Sequence, residues 1–306
     1  MKEEDCFLKV KKDYLIFLKK EEIFGKSKAA KIKSLKKIYI PMSFWIEKKY
    51  REKGKMLFLG FSGGQGSGKT TVTGILKIIL KKFFKREVQV SSIDDFYKTL
   101  RDRKMMSYKI HKLFKTRGVP GTHDINLIKK FFYNLKKINL NKFKSPKFDK
   151  STDDRFKKRY WNNIKKKPEI VILEGWCIGA KPQSNSLVKK PINILEKNED
   201  KNFIWRRYVN EKLRKEYKNI FAKMDYLIFI KIPNFKMVFK WRLLQEKKLE
   251  KKSHSNKKIM NYKEIKRFIM FYQRITLQMV KDLSKSASVV MFMKKNHEIK
   301  KIMFRS

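Results

Sequence analysis

The chain is short of several residue types, and each shortage closes off a class of answers. Two cysteines in 306 residues, Cys6 and Cys177, cannot build a disulfide framework, so a reducing compartment, the cytoplasm, is expected. Histidine occurs only at His111, His123, His254 and His297, with no H-E-x-x-H and no Cys/His metal-ligand spacing. No G-x-S-x-G nucleophile elbow occurs. No apolar run reaches the ~18 residues of a membrane span, and the charged residues 2–5 do not open a signal peptide. Acids are scarce too: 29 Asp and Glu stand against 79 Lys and Arg, a formal net charge of +50.

That excess invites a nucleic-acid reading, because Lys and Arg bind phosphate backbones by counterion release. Its texture argues otherwise. The excess is nearly all Lys, spread along the whole chain together with abundant Ile, Phe and Asn, whereas base-reading proteins lean on Arg. We expect no specific nucleic-acid partner, only nonspecific adhesion to polyanions. With 42% hydrophobic residues the chain has enough core for one large α/β domain, or one domain with an extension.

Glycine is also rare, yet four of the 12 glycines fall in Gly63-Gly64-Gln65-Gly66-Ser67-Gly68-Lys69-Thr70. This run satisfies G-x-x-x-x-G-K-[ST], the phosphate-binding loop of nucleotide-dependent enzymes. Glycines let the backbone curl until its N–H groups face phosphate oxygens, and a helix N-terminus adds its positive dipole end. An apolar strand-like run, residues 56–61, precedes the loop, and residues 71–80 can follow as a helix. Gly63, Gly64, Gln65, Gly66, Ser67, Gly68, Lys69, Thr70 and Thr71 form the candidate nucleotide site. Lys69 would reach the β- and γ-phosphates and the Thr70 hydroxyl would ligate Mg²⁺.

Reading outward, residues 87–93 form a second strand ending in Asp94-Asp95-Phe96-Tyr97, and residues 169–173 a third ending in Glu174-Gly175-Trp176. Acids at the carboxyl ends of parallel strands sit where ligands bind in an open α/β sheet. Glu174 is flanked by apolar residues and is costly to bury without a cation, so with Thr70 and Asp94 it is a metal candidate. Asp94 is the candidate base, although either acid of the pair can simply cap a helix. Between these strands, Arg117-Gly118-Val119-Pro120-Gly121-Thr122-His123-Asp124 and Pro146-Lys147-Phe148-Asp149-Lys150-Ser151, with Asp154-Arg155 close behind, hold groups suited to gripping a small anion. Arg117, His123, Asp124, Lys150 and Arg155 are therefore candidate acceptor residues. Trp176 and Cys177 read as packing, and residues 182–200 as a loop. A fourth strand spans residues 225–232 and a basic helix 235–251 carries Arg242, a lid candidate. Residues 251–258 read as a polar linker, residues 262–280 as a helix and 288–293 as a last strand.

The order of strands and helices predicts an α/β fold with a mainly parallel five-stranded sheet and helices on both faces. We divide it into an N-terminal helical extension (1–54) and a core domain (55–306). The core domain carries acceptor-binding loops at about 98–165 and a lid at about 235–260.

Taken together, GGQGSGKTT, SSIDDFYKT, RGVPGTHD, PKFDKS, VILEGWCIGAKPQ and KWRLLQE resemble, in that order, the D-glycerate 3-kinase family of P-loop kinases, with uridine and pantothenate kinases as relatives. The resemblance runs from about residue 56 onward, and Trp176 to Gln183 look like the bacterial branch. It implies the P-loop kinase fold, ATP with Mg²⁺, and phosphorylation of D-glycerate to 3-phosphoglycerate. Lys69 and the loop amides would hold the triphosphate, Thr70 and Glu174 would position Mg²⁺, Asp94 would take the hydroxyl proton, and Arg242 would close over the transferring group. Residues 151–155 depart from the family pattern, being shorter than the glycine-containing stretch expected before Asp-Arg. The alternatives are another kinase of this fold, acting on a nucleoside, pantothenate or a sugar phosphate, and a nucleic-acid-associated ATPase.

Overall fold

Two periodicities, one of β-branched and apolar alternation and one of amphipathic helices, build a sheet enclosed between two helical layers. The computed structural model describes residues 2–21, 27–137, 143–252 and 260–305. Strand β1 (Leu57–Gly63), buried at every residue, is central. β3 (Ile170–Gly175) lies on one side of it with β2 (Val88–Ser92) beyond, and β4 (Tyr226–Lys231) on the other with β5 (Val289–Met293) beyond. All five are parallel, with Leu57 opposite Ile170 and Leu59 opposite Tyr226. Alternate residues point to opposite cores: Leu57, Leu59, Phe61 and Ile172 to one, Phe58, Val171 and Leu173 to the other.

A sixth strand, β6 (Ile299–Phe304), extends the expected five by pairing antiparallel with β5. Only Ile299 in it is fully buried and Lys300 and Lys301 are exposed, so this edge strand lacks the apolar run that announces the others. The stretch 182–200, expected as a loop, holds two short helices, α7 and α8 (below). Ser184 and Asn193 cap them by accepting from the backbone N–H three residues on.

One layer is N-terminal. Helix α1 (Glu3–Lys20) buries Cys6, Phe7, Val10, Tyr14 and Leu18 along one stripe, with acids in its first turn and lysines in its last. α2 (Lys28–Ser34) runs through a π-turn into α3 (Ile40–Lys53). These helices share one core with β1 and with α4 (Lys69–Lys82), each large buried side chain contributing roughly 2 kcal/mol. Buried Glu47 on α3 accepts from Arg51 (2.6 Å) and Arg86 (2.7 and 2.9 Å), while Glu169 accepts from Arg86 (2.9 Å) and Tyr50 (2.8 Å). Burial opposes the Glu47 charge, but the two arginines outweigh it and hold its carboxyl below the usual range. This cluster fastens α3 to the entry ends of β2 and β3, opposite the site.

The other layer comprises α5 (Leu100–Lys109), α6 (Ile125–Lys137), α7 (Asn185–Lys189), α8 (Ile194–Glu199) and α9 (Ile204–Lys212). α9 continues through a π-turn (Leu213–Tyr217) into α10 (Lys218–Phe221). α11 (Lys236–Lys252) packs instead on the first core through Met237, Val238 and Trp241. α12 (Tyr262–Ser286) spans both, with Ile265 and Ile269 in the first and Phe271, Ile275 and Met279 in the second. Of the linker expected at residues 251–258, all beyond Lys252 lies outside the described residues. Residues 144–163 form two short ribbons, Lys144–Ser145 with Asn162–Asn163 and Phe148–Asp149 with Asp154–Arg155. No helix among the described residues is long and apolar enough to cross a membrane.

Candidate active site

The carboxyl ends of β1, β2 and β3 converge on one rim. Phosphate-loop residues Gly66 (φ 72°) and Gly68 (φ 76°) take the left-handed conformation that a side chain resists, turning β1 into α4 within five residues. Gly66 also lies so near Trp241 of α11 that a Cβ there would come within 2.9 Å of the tryptophan's own Cβ. Lys69 Nζ donates to the carbonyls of Gly63 (3.0 Å) and Gly64 (3.1 Å), and burial lowers its pKa against the opposing pull of Glu174 and Asp94. His297 in the β5–β6 turn reaches the loop through the Gly66 carbonyl, at 2.8 Å.

Thr70 Oγ1 donates to Glu174 Oε1 at 2.8 Å, so the loop and the end of β3 are joined by the pair expected to serve Mg²⁺. Glu174 is buried and its Oε2 has no hydrogen-bond partner among the described residues; burial raises its pKa, with Lys69 and Thr70 acting against it. Gln65 Oε1, Ser67 Oγ and Arg242 Nε are likewise buried and unpartnered among the described residues. No cluster of three or more His, Cys, Asp or Glu forms a metal cage among the described residues. A hydroxyl and isolated carboxylates are the oxygen donors Mg²⁺ accepts when phosphates and water complete its shell.

Asp94, in the turn after β2, has a partner on each oxygen. Tyr97 Oη donates to Oδ1 at 2.9 Å and Lys150 Nζ to Oδ2 at 3.2 Å. Burial opposes its charge, but Lys150 and Tyr97 prevail and keep the carboxyl below the usual range. Neighbouring Asp95 is pushed up to about 6 by burial and accepts from the Phe148 N–H at 3.3 Å.

Of the expected acceptor residues, the geometry brings Lys150 alone into contact with Asp94. Arg155 donates to the Tyr97 carbonyl (2.7 Å) and to Asp124 Oδ2 (3.1 Å), while Asp124 Oδ1 caps α6 through the Leu127 N–H (3.0 Å). These two tie the acceptor loops to each other. Arg117 pairs with Asp153, which also takes Arg103 Nη1 (3.0 Å) from a guanidinium with no exposed surface. His123 has no exposed surface, so it offers nothing to a ligand directly. Its Nδ1 lies 2.6 Å from Tyr217 Oη and its ring stacks on Tyr97 at 4.5 Å and 20°. Arg242 is engaged by Glu246 one turn along α11 and lies 5.3 Å from the Phe268 ring.

Sequence reasoning missed the residues that hold these loops together. Tyr97 stands in the D-D-F-Y run without an assigned role. Trp176 Nε1 donates to the Gly118 carbonyl at 2.9 Å and the Tyr272 hydroxyl to the Arg117 carbonyl at 3.2 Å. Gly118 (φ 137°) must be glycine, since a Cβ would run into the Tyr272 hydroxyl. Tyr217 and Tyr272 carry no sequence signal, being distant helix residues in amphipathic patterns.

A phosphate loop after the central parallel strand, with carboxylates at the ends of the two strands beyond it, defines the class: an ATP-dependent P-loop kinase. Comparison with known proteins narrows it. The chain is 30% identical over 237 residues to the uncharacterized kinase mug58 of Schizosaccharomyces pombe, covering 74% of this chain and 82% of that one. It is 29% identical over 225 residues to the chloroplastic D-glycerate 3-kinase of Arabidopsis thaliana, covering 68% of this chain but 47% of the longer plant protein. The D-glycerate 3-kinase structure from Cryptococcus neoformans superposes with a TM-score of 0.71 at 22% identity, over 87% of this chain and 98% of that one. No protein-family model matches the chain. The chain belongs to the P-loop kinase family that includes D-glycerate 3-kinase.

Proposed function

We propose that this kinase phosphorylates D-glycerate, moving the γ-phosphoryl group of ATP onto a hydroxyl to give 3-phosphoglycerate and ADP. The observation that carries the reading is Lys150 on Asp94 Oδ2 at 3.2 Å, which sets an exposed cation beside the base. An acceptor bearing its own carboxylate needs both: a base for the hydroxyl and a cation for the anion. Lys150 is two-thirds exposed and free to turn from Asp94 to that carboxylate. The plant and fungal relatives carry the same activity in their names.

In this scheme the glycerate hydroxyl loses its proton to Asp94 as its oxygen bonds to the γ-phosphorus, and the bond to the β,γ-bridging oxygen breaks to release ADP. Lys69, turned from the Gly63 and Gly64 carbonyls, and the loop N–H groups offset the charge on the phosphates. On this reading Arg242, on the helix against the loop, leaves Glu246 to meet the transferring group. Mg²⁺, held by Thr70 and Glu174 with Asp94 nearby, would neutralise charge on the phosphate oxygens when bound. Both cysteines are free and buried, which suits a cytoplasmic setting.

An ADP-release assay with D-glycerate, uridine, pantothenate and ribulose 5-phosphate tests the reading. Turnover with glycerate alone is expected; turnover with another acceptor and none with glycerate would overturn the substrate and leave the kinase. Asp94→Asn should lower kcat by about 10²-fold or more while ATP affinity stays within a few-fold.

A further inference from the structure

We propose that Tyr97, braced by His123 and Tyr217, divides the labour of the two Asp94 oxygens, fixing Oδ1 so that Oδ2 is the atom that takes the acceptor's proton. This rests on the kinase reading above and deepens it. Tyr97, His123 and Tyr217 are positioning residues; none has surface to spare for substrate, since Tyr97 is 3% exposed and the other two are sealed.

The chain of contacts begins far from the rim. The Gly121 N–H donates to Tyr217 Oη at 3.0 Å, so that hydroxyl is an acceptor on one side and must direct its single proton elsewhere. The atom in reach is His123 Nδ1, at 2.6 Å. On this assignment His123 is the neutral tautomer, with Nδ1 accepting and the proton on Nε2, a buried nitrogen with no hydrogen-bond partner among the described residues. Burial reinforces neutrality by depressing the imidazole pKa to about 4, and Tyr217 stays protonated because burial raises its pKa far above the ordinary phenol value.

The flat neutral ring then supports Tyr97 from one face, at 4.5 Å and 20°, while Phe148 closes its edge at 5.2 Å. The backbone makes the stack rigid: Lys98 N–H donates to the Thr122 carbonyl (2.8 Å) and Asp124 N–H to the Phe96 carbonyl (2.7 Å), pairing the D-D-F-Y run antiparallel to G-T-H-D. A phenol held this way has one polar contact available, and its proton goes to Asp94 Oδ1 at 2.9 Å. A hydrogen bond on one oxygen biases the rotation of the carboxylate, so that Oδ2 is turned toward Lys150 and the acceptor. Phe148 and Lys150 belong to the same loop, so the ring also sets where the Oδ2 partner sits. Pre-orientation of a base is worth large factors in rate because the reacting atoms must meet within a few tenths of an ångström.

Two measurements test this independently. Tyr97→Phe keeps the ring and the stack and removes one hydroxyl; with any acceptor the wild type turns over, kcat should fall about tenfold with the KM for ATP within about twofold. Tyr97→Phe with unchanged kcat, or with both KM values raised and kcat intact, overturns the proposal. Nitrogen-15 spectra of the wild-type protein labelled in histidine should show His123 protonated at Nε2, and Tyr217→Phe should erase that preference and lower kcat less than Tyr97→Phe does. A wild-type His123 protonated at Nδ1 would sink the relay without any activity measurement. Failure of glycerate in the acceptor panel would instead sink the substrate and leave both arms standing.

Discussion

At His123 a titratable ring sits where charge is costly, and that ties the stability of the acceptor loops to pH. Burial takes the imidazole from its ordinary 6.5 to about 4, with Lys98 adding to the effect. A depressed pKa means the unfolded chain takes up the proton first. Its contribution is therefore fully present above about 6.5 and is lost progressively as pH falls through 4. The window corresponds to roughly 3 kcal/mol for this one group. Denaturation of the wild type at a series of pH values should show stability declining through that interval, and His123→Gln should flatten the decline by about that amount while lowering stability at pH 7. Parallel curves for the two proteins would mean that folding does not shift the pKa of the ring.

Among the elements, α4 carries a glycine in mid-helix that propensity alone makes a defect worth about 1 kcal/mol relative to Ala. The cause is α1. A Cβ on Gly74 would lie 2.5 Å from Phe17 Cζ and 3.1 Å from Cε2, so the glycine lets the N-terminal helix approach the helix that follows the phosphate loop. Gly74→Ala should be neutral or destabilising in the wild type, because displacement of the half-buried Phe17 ring offsets the propensity gain. In a Phe17→Ala background the same change should stabilise by about 1 kcal/mol. Thermal denaturation of the four proteins gives the coupling directly, and additivity would show that α1 does not pack here. This is also where sequence and structure part. β1 and its loop, Asp94 at the end of β2 and Glu174 at the end of β3 were legible, because strand runs and a fixed motif depend on neighbours in sequence. Gly74 beside Phe17, Tyr217 beside His123 and Arg155 bound to Asp124 depend on neighbours in space, and no local pattern announces them. Arg155 and Asp124 read as acceptor residues because charge in a loop is equally suited to gripping a ligand and to fastening the loop; hydrogen bonds to the Tyr97 carbonyl and the Leu127 N–H decide for fastening. β6 was missed because its lysines break the apolar run.

For the whole molecule the dominating quantity is charge. With +50 on 306 residues the protein repels itself and attracts any polyanion, and the lysines that produce the excess are spread over helices on both faces of the sheet. A field without a focus gives adhesion without recognition. It also gives no reason for a nucleic acid to be drawn to the phosphate loop, which Trp241 of α11 and His297 of the β5–β6 turn flank at Gly66. Retention on heparin or duplex DNA should therefore be strong near 50 mM salt and collapse steeply with rising salt, with little dependence on sequence, as counterion release requires. ADP release in the presence of glycerate should not rise when RNA or DNA is added, and excess polyanion at low salt should leave it unchanged or slow it. A stimulation of about tenfold or more that survives near 150 mM salt would mean that part of the lysine excess forms a functional nucleic-acid surface, and would move the protein from a small-molecule kinase toward a nucleic-acid-associated ATPase.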